Sequence, residues 1–119
     1  MKIGEFSKRT GLSIDTLRYY EKERLLTPQR DFNDRRVYSE SDIRWVEFII
    51  RLKETGMPLK EIRIYARYRA KGDSTMNERL KMLLAHKANL EAQIEKLNAH
   101  KKKLDDKIKY YRDEIAKRS

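Results

Sequence analysis

The sequence contains no cysteine among its 119 residues, which excludes disulfide bonds, thiolate metal sites and a thiol-based redox switch in this chain. Only 4 glycines and 2 prolines interrupt it, and no stretch approaches the roughly 20 consecutive apolar residues of a membrane span. The first residues also lack the continuous apolar run of a signal peptide. We therefore expect a cytoplasmic protein that has no membrane partner.

Charged residues are abundant and mostly basic. They make up 40% of the chain, and the formal net charge is +10. Residues 1–72 carry 17 basic and 11 acidic side chains, a net +6, and residues 73–119 carry 12 and 8, a net +4. Because the basic excess runs through both halves, a polyanion such as nucleic acid is the favoured partner.

Residues that would support catalysis are missing. The chain offers no cysteine nucleophile, no cluster of metal ligands, no glycine-rich phosphate loop and no paired-carboxylate pocket. The two histidines, His86 and His100, are 14 positions apart and share one helix face. One chain cannot chelate a metal with both, so a solvated face is favoured over a metal site shared across a dimer. No enzyme activity, cofactor or metal is predicted.

Residues 4–26 predict a helix-turn-helix. A short helix from Gly4 to Thr10, with Ile3 and Phe6 on its buried side, would end at Gly11 in the left-handed conformation. Ser13 would cap a second helix. The apolar side chains of that second helix share one face: Ile14, Leu17 and Tyr20. The opposite face carries Asp15, Arg18, Tyr19 and Lys22, with Thr16 on its flank. This second face is the one that a recognition helix would present to the major groove, and a solvated amphipathic helix is the alternative.

Residues 27–39 predict a hairpin. Pro28 ends helical character, and turn-forming residues follow at positions 31–34. The second arm would carry Arg35, Arg36 and Tyr38, and the last two would face the same way because they are two residues apart. Arginine and tyrosine on one strand face suit contact with phosphates, and a generic surface hairpin is the alternative.

A second pair of helices is expected between residues 39 and 71. Ser39 would cap a helix that runs to about Thr55, and Gly56 would end it. Pro58 would stand as a first helical residue of the next helix, where its missing N–H is tolerated. The buried stripe of the first helix would be Ile43, Val46, Ile49 and Ile50, with Trp45 and Phe48 at its margins. The next helix would bury Leu59, Ile62 and Tyr65 or Ala66. Lys60, in its first turn, would be free to meet a phosphate.

The remainder of the chain predicts one long helix. From Met76 to about Lys117 there is no proline or glycine, which gives about 63 Å of helix. Apolar residues recur every seven positions, as in a coiled coil, and the expected dimer contacts are Leu83, Leu90, Ile94, Leu97, Leu104, Ile108 and Tyr111. Lys87 and Lys101 also occupy core positions, where polar residues specify register. Because the chain has no second long helix, the stripe predicts a symmetric homodimer, or packing against a different protein.

Three segments, in this order along the chain, resemble the MerR family of bacterial transcription regulators: IGEFSKRTGLSIDTLRYYEKERLL, RRVYSESDI and TGMPLKEI. The resemblance implies a mainly α fold in which residues 1–72 form a winged helix-turn-helix followed by a second helix-turn-helix. Residues 73–119 would form a dimerisation helix that pairs as an antiparallel coiled coil. In length the chain is similar to the small aldehyde- or thiol-responsive members, although it has no thiol.

The resemblance also implies a function. Family members typically bind a pseudo-palindrome within a promoter and bend and untwist that DNA, so RNA polymerase is an indirect partner. The implied phosphate contacts are Arg18 and Tyr20, the implied neighbours of base edges are Asp15, Thr16 and Tyr19, and Arg36 and Tyr38 match the R-x-Y of the wing. Asp34 stands where the family usually has glycine in the wing turn. The resemblance places the protein at the nucleoid, but it identifies neither an operator nor an effector.

Overall fold

The computed structural model describes residues 1–119 as a mainly helical chain with one two-stranded hairpin. The elements are α1 (Ile3–Thr10), α2 (Ile14–Lys22), β1 (Gln29–Arg30), β2 (Arg36–Val37), α3 (Glu40–Glu54), α4 (Leu59–Lys71) and α5 (Met76–Lys117). A single turn of 3₁₀ helix, Asp73–Thr75, precedes α5. No helix is both long enough and apolar enough to span a bilayer. The mainly helical class predicted from the sequence is confirmed.

The helix ends follow local capping chemistry. Gly11 adopts φ 76°, and its N–H donates to the carbonyl of Ser7, which closes α1. The Ser13 hydroxyl accepts from the N–H of Thr16 at 3.1 Å and starts α2. Ser39 and Asp42 form a reciprocal capping box at the start of α3. Pro58 differs from the expectation, because it caps α4 in an extended conformation instead of being its first helical residue.

The core lies among the first four helices. The predicted core residues that are buried are Phe6, Leu17, Tyr20, Ile43, Val46, Ile49, Ile62, Tyr65 and Ala66. Four residues are only half-buried, contrary to the expectation: Ile3, Ile14, Ile50 and Leu59. Leu25, Leu26, Leu52 and Met57 are buried as well, and the sequence did not single them out.

Trp45 is a core residue, as expected. Its indole N–H donates to the carbonyl of Leu25 at 2.7 Å, so the polar atom of the ring is satisfied inside the protein. Its ring stacks on Tyr65 with the centroids 5.7 Å apart, and the guanidinium of Arg69 lies 4.7 Å from its centroid. Trp45 therefore joins α3 to α4 and to the segment that follows α2.

The chain forms two compact units, Met1–Met82 and Leu83–Ser119. The first unit continues past residue 72 because the segment before α5 is bonded to α4 and to its C-terminal glycine. The Thr75 hydroxyl donates to the carbonyl of Tyr68 at 2.5 Å, and Arg79 donates to the carbonyl of Gly72 at 2.9 Å. The second unit contains the part of α5 that follows Met82. The bounds of α5 as a whole are those that the sequence predicted.

Candidate nucleic-acid interface

The outer face of α2 is open to solvent. Asp15, Arg18 and Tyr19 are exposed, and Thr16 is half-buried because its hydroxyl accepts from the Ser13 cap at 2.9 Å. Arg18 has no ion pair or hydrogen bond within the chain, so its guanidinium is available to an external anion. A positively charged, partly aromatic face on a short helix is what a recognition helix presents to the major groove.

Tyr20 lies on the inner face, as the helical wheel indicates. Its side chain is 2% exposed, and the ammonium of Lys53 sits 5.3 Å from its ring centroid. Its hydroxyl has no hydrogen-bond partner within the chain.

The wing is a short antiparallel hairpin whose tip is closed by its own hydrogen bonds. Gln29 pairs with Val37 and Arg30 pairs with Arg36. Asp34 adopts φ 61°, the left-handed conformation that glycine favours. Aspartate is one of the few other residues that tolerates this region, so the tight turn survives without the glycine that the family usually has there.

Tyr38 lies elsewhere than the sequence predicts. We expected it on an exposed strand face beside Arg36, but β2 ends at Val37 and Tyr38 is 1% exposed. Its ring stacks on Phe6 with the centroids 4.4 Å apart, and its hydroxyl donates to Glu21 Oε1 at 2.5 Å. Burial, followed by the bond to Glu21, raises the pKa of the Tyr38 phenol. The hydroxyl expected to meet DNA is thus already occupied within the protein.

Glu21 connects the wing to α2, a role that was not predicted from the sequence. Besides accepting from Tyr38, its carboxylate accepts from Nε of Arg36 at 2.6 Å, and its side chain is only 11% exposed. Two groups of the wing therefore converge on one carboxylate of α2. A signal was present, since the helical wheel places Glu21 on the inner side next to Tyr20.

A groove lies between the wing, the start of α1 and α2. Its volume is about 610 Å³, and the four guanidinium groups that line it belong to Arg18, Arg30, Arg35 and Arg36. Only Arg36 is paired with a carboxylate of another element, while Arg30 is bonded within the wing tip. The carboxylates of Asp31 and Asp34 also line the groove, but the four guanidinium groups outnumber them, so the groove can bind an anion.

Lys60 lies away from this groove. It is exposed in the first turn of α4 and borders a shallow cavity of about 250 Å³ together with Arg24 and Arg67. Arg63, in the same cavity, is held by Glu23 at 2.5 Å. The structure thus separates the predicted contacts into the α2–wing groove and the start of α4.

Two apolar features have no partner within the chain. The first is Phe32, for which the sequence predicted no role and which is fully exposed at the wing tip. On α5 no residue is fully buried, and Ile94 and Leu97 are 49% and 66% exposed. Of the seven predicted dimer contacts, Leu83 and Leu90 are half-buried and the other five are exposed.

Comparison with known proteins gives two family matches and many relatives. Residues 1–69 match the family described as "MerR HTH family regulatory protein", and residues 43–107 match "MerR, DNA binding". An uncharacterised HTH-type transcriptional regulator of Haemophilus influenzae is 35% identical over 106 residues, 88% of this chain and 78% of its own. The HTH-type transcriptional regulator AdhR of Bacillus subtilis is 34% identical over 91 residues, 76% of this chain and 65% of its own.

Solved structures are similar over nearly the whole chain. HiNmlR, a MerR family regulator lacking the sensor domain and bound to promoter DNA, superposes with a TM-score of 0.81. It is 33% identical, and the match covers 97% of this chain and 92% of that one. A MerR family regulator from Bacillus thuringiensis is 34% identical with a TM-score of 0.76, over 91% of this chain and 96% of that one.

Proposed function

The chain belongs to the MerR family of helix-turn-helix regulatory proteins, and on this premise we propose that it regulates transcription by binding a promoter operator as a homodimer. Its relatives are transcriptional regulators and not enzymes, in agreement with the prediction from the sequence. Binding to chromosomal DNA would place the protein at the nucleoid in the cytoplasm.

The observation that carries the proposal is the groove lined by guanidinium groups beside the open face of α2. A helix in the major groove lies between two phosphate strands, so cations beside the helix are needed to fix its register. Arg18, Arg35 and Arg36 would hold the strand on the wing side. Lys60 would hold a phosphate on the side of α4.

Sequence would be read by the middle of α2. Asp15, Thr16 and Tyr19 would lie near base edges, where an aspartate accepts from the amino group of cytosine and is repelled by bases that present acceptors. The Tyr20 ring packs in the protein core, and its hydroxyl, which has no partner within the chain, would reach a phosphate of the DNA backbone. Tyr38 would act indirectly, by keeping the wing against α2 through Glu21.

Dimerisation would bury the stripe on α5. Seven apolar side chains at heptad spacing favour pairing with a second copy of the same helix, and two-fold symmetry favours an antiparallel coiled coil. Two half-sites related by that symmetry would form a pseudo-palindromic operator. Bending and untwisting of the intervening DNA would then switch transcription by realigning the elements that RNA polymerase reads.

The proposal is tested by selecting duplexes from random DNA on the purified protein. Recovery of an inverted repeat of fixed spacing, bound by a dimer in sedimentation, is the expected result. Enrichment of general duplex without sequence would refute specific recognition. A chain that stays monomeric alone and associates only with another protein would refute the homodimer.

Circular permutation of the selected site within a longer fragment then measures the bend. We expect gel mobility to depend on the position of the site. Mobility that is independent of position would refute bending while leaving DNA binding intact.

A further inference from the structure

Of the three phenylalanines, Phe32 is the one that packs against no other part of the protein. Its side chain is 103% exposed relative to the reference state, whereas Phe6 is fully buried against Tyr38. Phe48 packs into an aromatic cluster with Trp45 and Tyr65, with ring centroids 6.3 and 5.8 Å away. Phe32 therefore contributes nothing to the core, and a large apolar ring is left at the end of the wing.

The tip that carries Phe32 is rigidly bonded. Asp31 Oδ1 accepts from the backbone N–H groups of Asn33 at 2.8 Å and of Arg35 at 2.9 Å. The N–H of Asp34 donates to the carbonyl of Asp31 at 3.0 Å, and the guanidinium of Arg30 donates to the carbonyl of Asp34 at 2.9 Å. A segment ordered in this way before binding loses little entropy when it docks.

The carboxylates of the tip are directed at groups of the hairpin itself, while the Phe32 ring is fully open to solvent. The Asp31 carboxylate is turned back onto the amides of its own turn, and the Asp34 carboxylate lies 3.8 Å from Nε of Arg30. Both anions thus have donors on the hairpin. Arg30 and Arg35 stand on either side of the tip and line the same groove as Arg18.

We propose that Phe32 is a further DNA contact, whose ring packs against the deoxyribose wall of the minor groove beside the half-site that α2 reads. The inference rests on the proposed function, because a wing beside a helix in the major groove approaches the adjacent minor groove. Proteins that bind the minor groove frequently insert phenylalanine and other apolar side chains into it. Arg30 and Arg35 would bind the phosphates on the two sides of the ring.

An uncharged ring contact has a signature that separates it from the arginine contacts. Binding through cations releases counterions and weakens steeply with salt, whereas contact by a phenyl ring does not. Removing Phe32 should therefore lower affinity by the same factor at every salt concentration. Removing an arginine should instead make the dependence on salt shallower.

The experiment compares Phe32→Ala with the neighbouring Asn33→Ala on the selected operator over a range of salt. The Asn33 side chain makes no hydrogen bond within the chain, so it is a matched control at the same tip. We expect Phe32→Ala to lose about tenfold in affinity, equivalent to about 1.4 kcal/mol, with an unchanged slope of log Kd against log salt. Asn33→Ala should stay within about twofold of wild type, because its side chain is not a proposed DNA contact and a surface substitution leaves the fold intact.

Hydroxyl-radical footprinting locates the contact. We expect wild-type protein to protect deoxyriboses at the outer edges of the operator, and Phe32→Ala to lose that protection while the protected positions nearer the centre persist. Because Phe32 is fully exposed, its removal should leave the melting temperature unchanged, which calorimetry verifies.

The two proposals fail in different ways. Wild-type protein that selects no sequence would refute the proposed function. If wild type binds its operator and Phe32→Ala binds it equally well with the same footprint, the minor-groove contact is refuted alone. A loss of affinity with a shallower salt slope would also refute it, because the lost contacts would then be ionic.

Discussion

Removal of the Tyr38 hydroxyl tests whether this residue anchors the wing or touches DNA. In Tyr38→Phe the buried ring and its stacking on Phe6 are kept, and only the 2.5 Å bond to Glu21 is lost. A hydrogen bond to a charged group contributes roughly 1.5–3 kcal/mol to stability. Because Glu21 keeps Arg36 as a partner, we expect the lower part of that range, about 1.5–2 kcal/mol. For a unit of this size the melting temperature should fall by roughly 6–16 °C.

The effect should depend on pH in one direction. Burial and the bond to Glu21 raise the pKa of folded Tyr38 above the ordinary value of 10.0. Below about pH 10 the phenol is neutral in both the folded and the unfolded state, so the stabilisation by the hydroxyl is complete. Above that pH the unfolded tyrosine ionises while the folded one does not, so this stabilisation is progressively lost. The gap in melting temperature between wild type and Tyr38→Phe should therefore stay constant near neutral pH and narrow above about pH 10.

Scanning calorimetry across pH measures the difference in melting temperature between wild type and Tyr38→Phe. Tyr19→Phe is the matched control for stability. Tyr19 lies on the same helix and is 44% exposed, so losing its hydroxyl should leave the melting temperature unchanged. DNA affinity is measured at a temperature where each variant is folded. The reasoning is refuted if Tyr38→Phe melts like wild type but binds operator much more weakly, since its hydroxyl would then contact DNA and not Glu21.

Three further changes test the other parts of the site. Arg18→Ala breaks no ion pair, so it should leave the melting temperature unchanged and should reduce the slope of log Kd against log salt concentration by about one. An unchanged slope would contradict a phosphate contact. Leu97→Glu should yield a monomer in sedimentation, whereas Lys96→Glu, one position outside the stripe, should remain dimeric; a dimeric Leu97→Glu would show that the stripe is not the interface. Asp34→Gly should retain the unfolding midpoint in urea, while Asp34→Val should lower the free energy of unfolding by about 1–2 kcal/mol because a β-branched residue disfavours positive φ. Equal midpoints of the two variants would contradict backbone strain at this position.

Local chemistry made most of the helices predictable. The left-handed Gly11 and the caps at Ser13 and Ser39 are properties of short segments, and the structure confirms all three. The bounds of α5 were equally accessible, because a segment without proline or glycine and with a seven-residue repeat has few alternatives.

The position of Tyr38 could not be predicted because a distant segment determines it. Alternation along a strand assumes that the strand continues, but here β2 ends after two residues. The N–H of Tyr38 then donates to the carbonyl of Met1 at 2.8 Å, which turns the ring toward Phe6. Nothing within residues 35–39 specifies a partner 37 positions away.

The segment after α2 was also missed, because loops are expected at the surface. Leu25 and Leu26 are buried there, and their N–H groups bond to the carbonyl of Tyr20. The assignment of individual side chains to bases, phosphates and the dimer remains a set of predictions.

The burial of Trp45 makes the protein its own optical probe. Because Trp45 is the one tryptophan in the chain and bonds to Leu25, its fluorescence reports on the junction of α3, α4 and the segment after α2, which lies in the first compact unit. Far-ultraviolet circular dichroism, in contrast, includes a large contribution from α5, which with 42 residues is the longest helix of the chain. Diluting a dimer until its long helices separate and fray would thus reduce ellipticity while the emission maximum stayed in place. One unlabelled sample can in this way distinguish dissociation of the dimer from unfolding of the first compact unit.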